Sequence, residues 1–136
     1  MKLFEIIVEQ QLLYHIGADV PTSSLRRLTF FTDEAAARTF ADTASYVKPK
    51  MHAVVNNISN PATDQDVVDA AKQIGCYDPH TQPMDYVTHA YYGNRALQIG
   101  ELLKKSGFDG IVLNDVAADG KTRIKSYIPF TIVAAK

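Results

Sequence analysis

The sequence predicts a single α+β domain over residues 1–136, with about six short strands and two or three helices interspersed irregularly. Three observations carry this. Short apolar runs rich in β-formers, such as 3–8 and 110–115, are too brief for helices. Two segments, 64–75 and 94–107, place apolar residues at helical spacing and end on glycine. Strands and helices do not alternate as in a βαβ series, and no GxGxxG follows a strand.

Residues 3–8 read as a strand, and QLLYHIG (11–17) as a second one that stops at Gly17. ADVPTSSLRR (18–27) is a loop marked by Pro21 and a Thr/Ser cluster. LTFFT (28–32) is a short strand. DEAAARTFADTAS (33–45) is a helix: Thr32 or Asp33 caps it, acids occupy its first turn, and alanine has the best helix propensity. MHAVVNNIS (51–59) is a strand closed by Asn60-Pro61. DQDVVDAAKQIG (64–75) is an amphipathic helix with Val67, Val68, Ala71 and Ile74 inward and Gly75 as its stop. CYDPHTQPMDY (76–86) reads as a loop with two prolines. NRALQIGELLKKSG (94–107) is a helix with Leu97, Ile99, Leu102 and Leu103 as its apolar stripe, two lysines in its last turn and Gly107 at its end. GIVLND (110–115) and TRIKSYIPFTIVA (122–134) are strands, and Pro129 sets the last at an edge or gives it a bulge.

The chain is long enough to bury a core without covalent staples, and 46% hydrophobic residues is a globular composition. A formal charge of −1 argues against a dedicated nucleic-acid binder, and no direct nucleic-acid contact is expected. One cysteine, Cys76, excludes an internal disulfide and a multi-cysteine zinc site; it reads as a small, partly buried residue. No two of the four histidines lie at a ligand-pair spacing, so no metal is expected. GxSxG and P-loop motifs are absent. Glu5 and Glu9 interrupt the apolar start, and no stretch is long enough to span a bilayer, so a cytoplasmic protein without membrane contact is expected.

Three stretches in order, LLYHIG, LTFFTDEAAARTFAD and GFDGIVLND with SYIPF a few residues on, together resemble the ADP-ribosyltransferase fold. The likeness is to small phage-borne members, including anti-CRISPR ADP-ribosyltransferases and the similar domains of phage polyvalent proteins. VVNNISNP resembles a middle strand of those domains, and the likeness covers most of the chain. It implies a compact split-sheet fold with two to three helices, and NAD as substrate. It also implies a host protein as target, a CRISPR effector subunit among the candidates.

Such enzymes break the bond between nicotinamide and ribose through an oxocarbenium-like transition state, as in glycoside hydrolysis. Nicotinamide leaves as a neutral molecule, so the site needs no strong acid, only positioning groups and one carboxylate for the developing charge. By resemblance, the His15 imidazole holds an NAD ribose hydroxyl while backbone near Ile16 and Gly17 clamps the carboxamide. Phe30, Phe31, Thr32 and Phe40 form the nicotinamide pocket. Strand alternation alone sends Phe30 or Phe31 into the core, and Phe40 suits a core position as well.

Many transferases of this fold carry a glutamate just before a YIVY-like run. Here the comparable run is KSYIPF, and Ser126 stands in that place. The resemblance to the anti-CRISPR members offers Asp115 instead, at the end of GFDGIVLND. Without the resemblance, Asp115 is an aspartate opening a turn toward Asp119-Gly120. Asp109 opens the same strand and lies at its far end. The readings to be separated are a mono-ADP-ribosyltransferase, an NAD glycohydrolase and an inactive domain that blocks or scaffolds a partner. Lys121, Arg123 and Lys125 alternate on one face of the last strand, where they suit an acidic partner, the NAD pyrophosphate or a charged sheet edge.

Overall fold

The computed structural model describes residues 11–17, 31–43, 50–87, 94–116, 121 and 123–134. Strand β1 (Leu12–Gly17) pairs antiparallel with β2 (Lys50–Val55), Leu12 opposite Val55 and Gly17 opposite Lys50. In a second sheet β3 (Pro61–Ala62) runs parallel to β4 (Gly110–Val116), which pairs antiparallel with β5 (Arg123–Pro129). Strand β6 (Val133–Ala134) returns to the first sheet beside β2.

Phe31 and Thr32 join the two sheets. Thr32 pairs with Tyr14 of β1, Phe31 pairs with Tyr127 of β5, and all four backbone hydrogen bonds are 2.8 Å long. The described strands therefore follow one order, β6-β2-β1, then 31–32, then β5-β4-β3.

Helix α1 (Glu34–Thr43) packs on β1 and β2. Of the two candidate caps, Thr32 and Asp33, it is Asp33 whose carboxylate accepts the Ala36 N–H, at 2.8 Å. Helices α2 (Asp64–Gln73), α3 (Pro83–Val87) and α4 (Asn94–Lys105) pack on one another beside the second sheet. At the start of α2 the Asp66 carboxylate accepts both the N–H and the hydroxyl of Thr63. After α4 the chain turns at Gly107, whose φ of 99° disfavours a side chain. Phe108 N–H then reaches back to the Leu103 carbonyl.

Two clusters of buried side chains follow from the strand alternation. Ile111, Leu113 and Ile128 of the second sheet join Val67, Ala71, Tyr86, Ile99 and Leu103 of the helices. On the opposite face, Leu13, Phe31 and Val54 pack with Tyr127 and Ile132. Each fully buried aliphatic side chain contributes roughly 1.5–3 kcal/mol, so the larger cluster dominates the stability. Among the described residues no helix is long and apolar enough to cross a membrane.

Three expectations need correction. The segment 76–86 is not all loop: Pro83 opens α3 at the first helical position, where a missing N–H costs nothing. Tyr86 is fully buried there, and its hydroxyl accepts the Asp78 N–H at 2.7 Å and donates to the Asp78 carbonyl at 2.8 Å. The strand expected over 51–59 stops at Val55, because the Asn56 side chain accepts the Ile58 N–H and turns the chain. The last strand breaks after Pro129, and its tail crosses to the first sheet as β6. The strand expected at 3–8 lies outside the described residues, as does the loop at 18–27.

Candidate functional site

The pairing sets up one row across five strands. His52 stands opposite His15, Tyr14 opposite Thr32, Phe31 opposite Tyr127, and Tyr127 opposite Val112. Since paired residues share a face and neighbours alternate, His52, His15, Phe31, Tyr127 and Val112 lie on one face at one level. The His15 and Phe31 rings agree, with centroids 5.6 Å apart at 55°. His15 is half-buried and Phe31 almost fully buried. Thr32, also half-buried, belongs to the other face with Tyr14, and its hydroxyl donates to the Lys125 carbonyl at 3.3 Å. Ile16 and Gly17 complete β1 beyond His15. Phe30 lies outside the described residues; Phe40 lies on α1 with its side chain outside the description.

The same face carries a cavity of about 510 Å³, lined by Pro61, Thr63, Asp64, Gln65, Val112, Asn114, Lys125 and Tyr127. Its volume is within the range of small-molecule sites. Asp64 is the first residue of α2, and its carboxylate faces the edge of β4. It accepts the Asn114 N–H at 3.2 Å and the Asn114 side-chain amide at 3.0 Å. Two donors from one residue fix the carboxylate while leaving half of its acceptor capacity.

Asp115 is elsewhere. Leu113 stands opposite Ser126 and Asp115 opposite Ile124, so Asp115 shares the helix-covered face with Leu113 and Ser126. The Ser126 hydroxyl donates to the Asp115 carboxylate at 3.0 Å. Ser126 is 5% exposed and Asp115 half-buried. The two positions the resemblance singles out for the acid are thus hydrogen-bonded neighbours on adjacent strands. Asp115 and His15 are not brought together. They lie on alternate faces, three strands apart and three residues out of level, on the order of 17 Å from strand spacings alone.

Asp109 is occupied. Its carboxylate accepts the Ser59 N–H at 2.8 Å, the Ser59 hydroxyl at 2.7 Å and the Asn60 N–H at 2.8 Å. Partial burial pushes its pKa up, but the Ser59 and Asn60 donors outweigh this and hold it below the usual carboxylate value. Among the described residues no cluster of three or more His, Cys, Asp or Glu could hold a metal ion.

The resemblance assigns His15 and Phe31 to one NAD site, and the strand pairing sets their rings 5.6 Å apart; Asp64, Asn114 and Tyr127 as walls of one cavity are not anticipated from the sequence. The usable signal is alternation: Lys125 and Tyr127 share a face of β5, as Val112 and Asn114 do on β4. What the sequence does not carry is the register that sets those two faces side by side. The chain matches no protein-family model, no curated protein and no solved structure.

Proposed function

We propose that the protein is an NAD-dependent mono-ADP-ribosyltransferase acting on a host-cell protein, in the manner of a phage anti-defence effector. The observation that carries this reading is the Ser126–Asp115 hydrogen bond of 3.0 Å. The resemblance expects a carboxylate at 126. A carboxylate stands one hydrogen bond away, supplied by the neighbouring strand. Its support also includes the pairing of β1, the 31–32 segment, β5 and β4, which sets the three resembling stretches on adjacent strands.

In this reading the bond between the ribose C1′ and the nicotinamide nitrogen breaks, and nicotinamide leaves neutral with the electron pair. The positive charge left on the ribose faces the Asp115 carboxylate, oriented by Ser126. A nucleophilic side chain of the target then attacks C1′ and loses its proton; with water as acceptor the same steps make a glycohydrolase. His15 and Phe31 lie on the other face of the sheet and take no part in this step.

A second reading is favoured by a specific observation: Asp115 and His15 lie on alternate faces. A domain of this shape without turnover, which binds and blocks a protein partner, needs no convergence of the two. Labelled NAD incubated with the protein and a bacterial lysate separates the readings. Label on a protein band supports transfer, free ADP-ribose supports hydrolysis, and neither supports the blocking domain. Asp115→Asn keeps size and hydrogen bonding but removes the charge. Transfer should fall by about a hundredfold or more, the scale of losing one transition-state stabiliser, with NAD affinity changed far less. A folded Asp115→Asn protein with undiminished transfer would remove Asp115 from the mechanism.

A further inference from the structure

We propose that the 510 Å³ cavity between the start of α2 and the β4–β5 face is a ribonucleotide site, with Asp64 on the ribose diol, Tyr127 against the base and Lys125 on the first phosphate, and with Arg123, beside the cavity on the same face of β5, reaching a second phosphate. The assignment stands apart from the transferase reading, since it uses neither His15 nor Asp115 and needs no bond to break.

Three features of the cavity, and one residue beside it, lead to it. Asp64 is a fixed carboxylate with spare acceptor capacity, the group that suits vicinal hydroxyls. Its two Asn114 bonds hold it in place before any ligand arrives. Tyr127, half-buried, supplies an aromatic wall, with Val112 opposite it in the register as an apolar neighbour. Lys125 lines the cavity and is exposed, so its ammonium is the cation available to an anionic group. Among the described residues neither Lys125 nor Arg123 makes an ion pair. Arg123, also exposed, is two residues earlier on the same face of β5, about 7 Å along the strand. Two long, flexible side chains at that spacing can converge on adjacent phosphates. A plain acidic peptide fits less well, because its carboxylate would meet Asp64, while a ribose turns the same carboxylate into a partner.

The test is calorimetric titration of the whole chain with AMP, ADP and 2′,3′-dideoxy-AMP. ADP should bind more tightly than AMP, and AMP more tightly than the dideoxy analogue. Lys125→Ala should weaken AMP about tenfold or more, the scale of one charge-assisted hydrogen bond. Arg123→Ala should erase the preference for ADP and leave AMP nearly unchanged. Asp64→Asn should erase the preference for AMP over the dideoxy compound, a comparison that cancels any loss of folding. Absence of AMP binding at millimolar concentration overturns the proposal. So does equal affinity for AMP and its dideoxy analogue in the wild type, or a Lys125→Ala protein that binds AMP unchanged. Loss of NAD cleavage in Asp115→Asn with intact AMP binding leaves this site standing, so the two proposals fail separately.

Discussion

Replacing Asp109 with alanine removes three hydrogen bonds at once, those from Ser59 N–H, Ser59 hydroxyl and Asn60 N–H. A bond to a charged group is worth about 1.5–3 kcal/mol when its donor is left buried. Ser59 and Asn60 are exposed, so water replaces part of what is lost. The net cost should be about 2 kcal/mol, a fall in Tm of roughly 5–8 °C for a domain of this size. Urea unfolding followed by circular dichroism measures it, with a lowered midpoint and an unchanged slope. The pH dependence gives an independent check. The folded-state pKa of Asp109 lies below its unfolded value, near 3.9. Its contribution is therefore fully present above the unfolded pKa and is lost as pH falls through the lower folded pKa. The gap between wild type and Asp109→Ala should stay constant from pH 7 to about 5 and close as the medium becomes more acidic than pH 4. A variant as stable as wild type at pH 7, or a gap that widens on acidification, would refute the assignment of Asp109 as the clasp of the 59–60 loop.

Two further substitutions test the packing. A Cβ on Gly110 would sit 2.6 Å from Ile58 Cγ1 and 3.0 Å from the Ile128 carbonyl oxygen, and the latter is backbone. Gly110→Ala should lose about 1–3 kcal/mol, the usual cost of overpacking, read as a lowered urea midpoint. Tyr86→Phe leaves the Asp78 N–H and carbonyl without their hydroxyl partner, so a loss of about 1–2 kcal/mol is expected by thermal melting. An unchanged Tm would mean that water takes the place of the hydroxyl.

The long helices were legible because α2 and α4 carry apolar residues at helical spacing and end at glycines. Strands β1 and β4 were legible as apolar runs bounded by Gly17 and by Gly110. The short helix α3 was not: five residues carry too little periodicity, and Pro79 and Pro83 pointed to a loop. Tyr86, the largest fully buried side chain there, is held by a partner eight residues earlier, a contact no local pattern encodes. The candidate sites divide in the same way. His15 and Phe31 were singled out from a short motif, and the pairing of Tyr14 with Thr32 sets them side by side. Asp64 and Asn114 are fifty positions apart, and only the parallel pairing of β3 with β4 makes them partners.

The seam at Phe31–Thr32 has a consequence for how the halves of the domain can move. Among the described residues four amide protons, those of Tyr14, Phe31, Thr32 and Tyr127, carry the backbone bonds of the seam. Each strand pair on either side can stay intact while these four break, so the seam is a natural line of opening. Hydrogen–deuterium exchange would then show two classes. Amides in the β4–β5 ladder would exchange only with global unfolding, while the seam amides would exchange through a smaller, local event. Should the four instead share the slowest rate in the protein, the two sheets breathe as one body, and anything bound against Tyr127 is felt at His15.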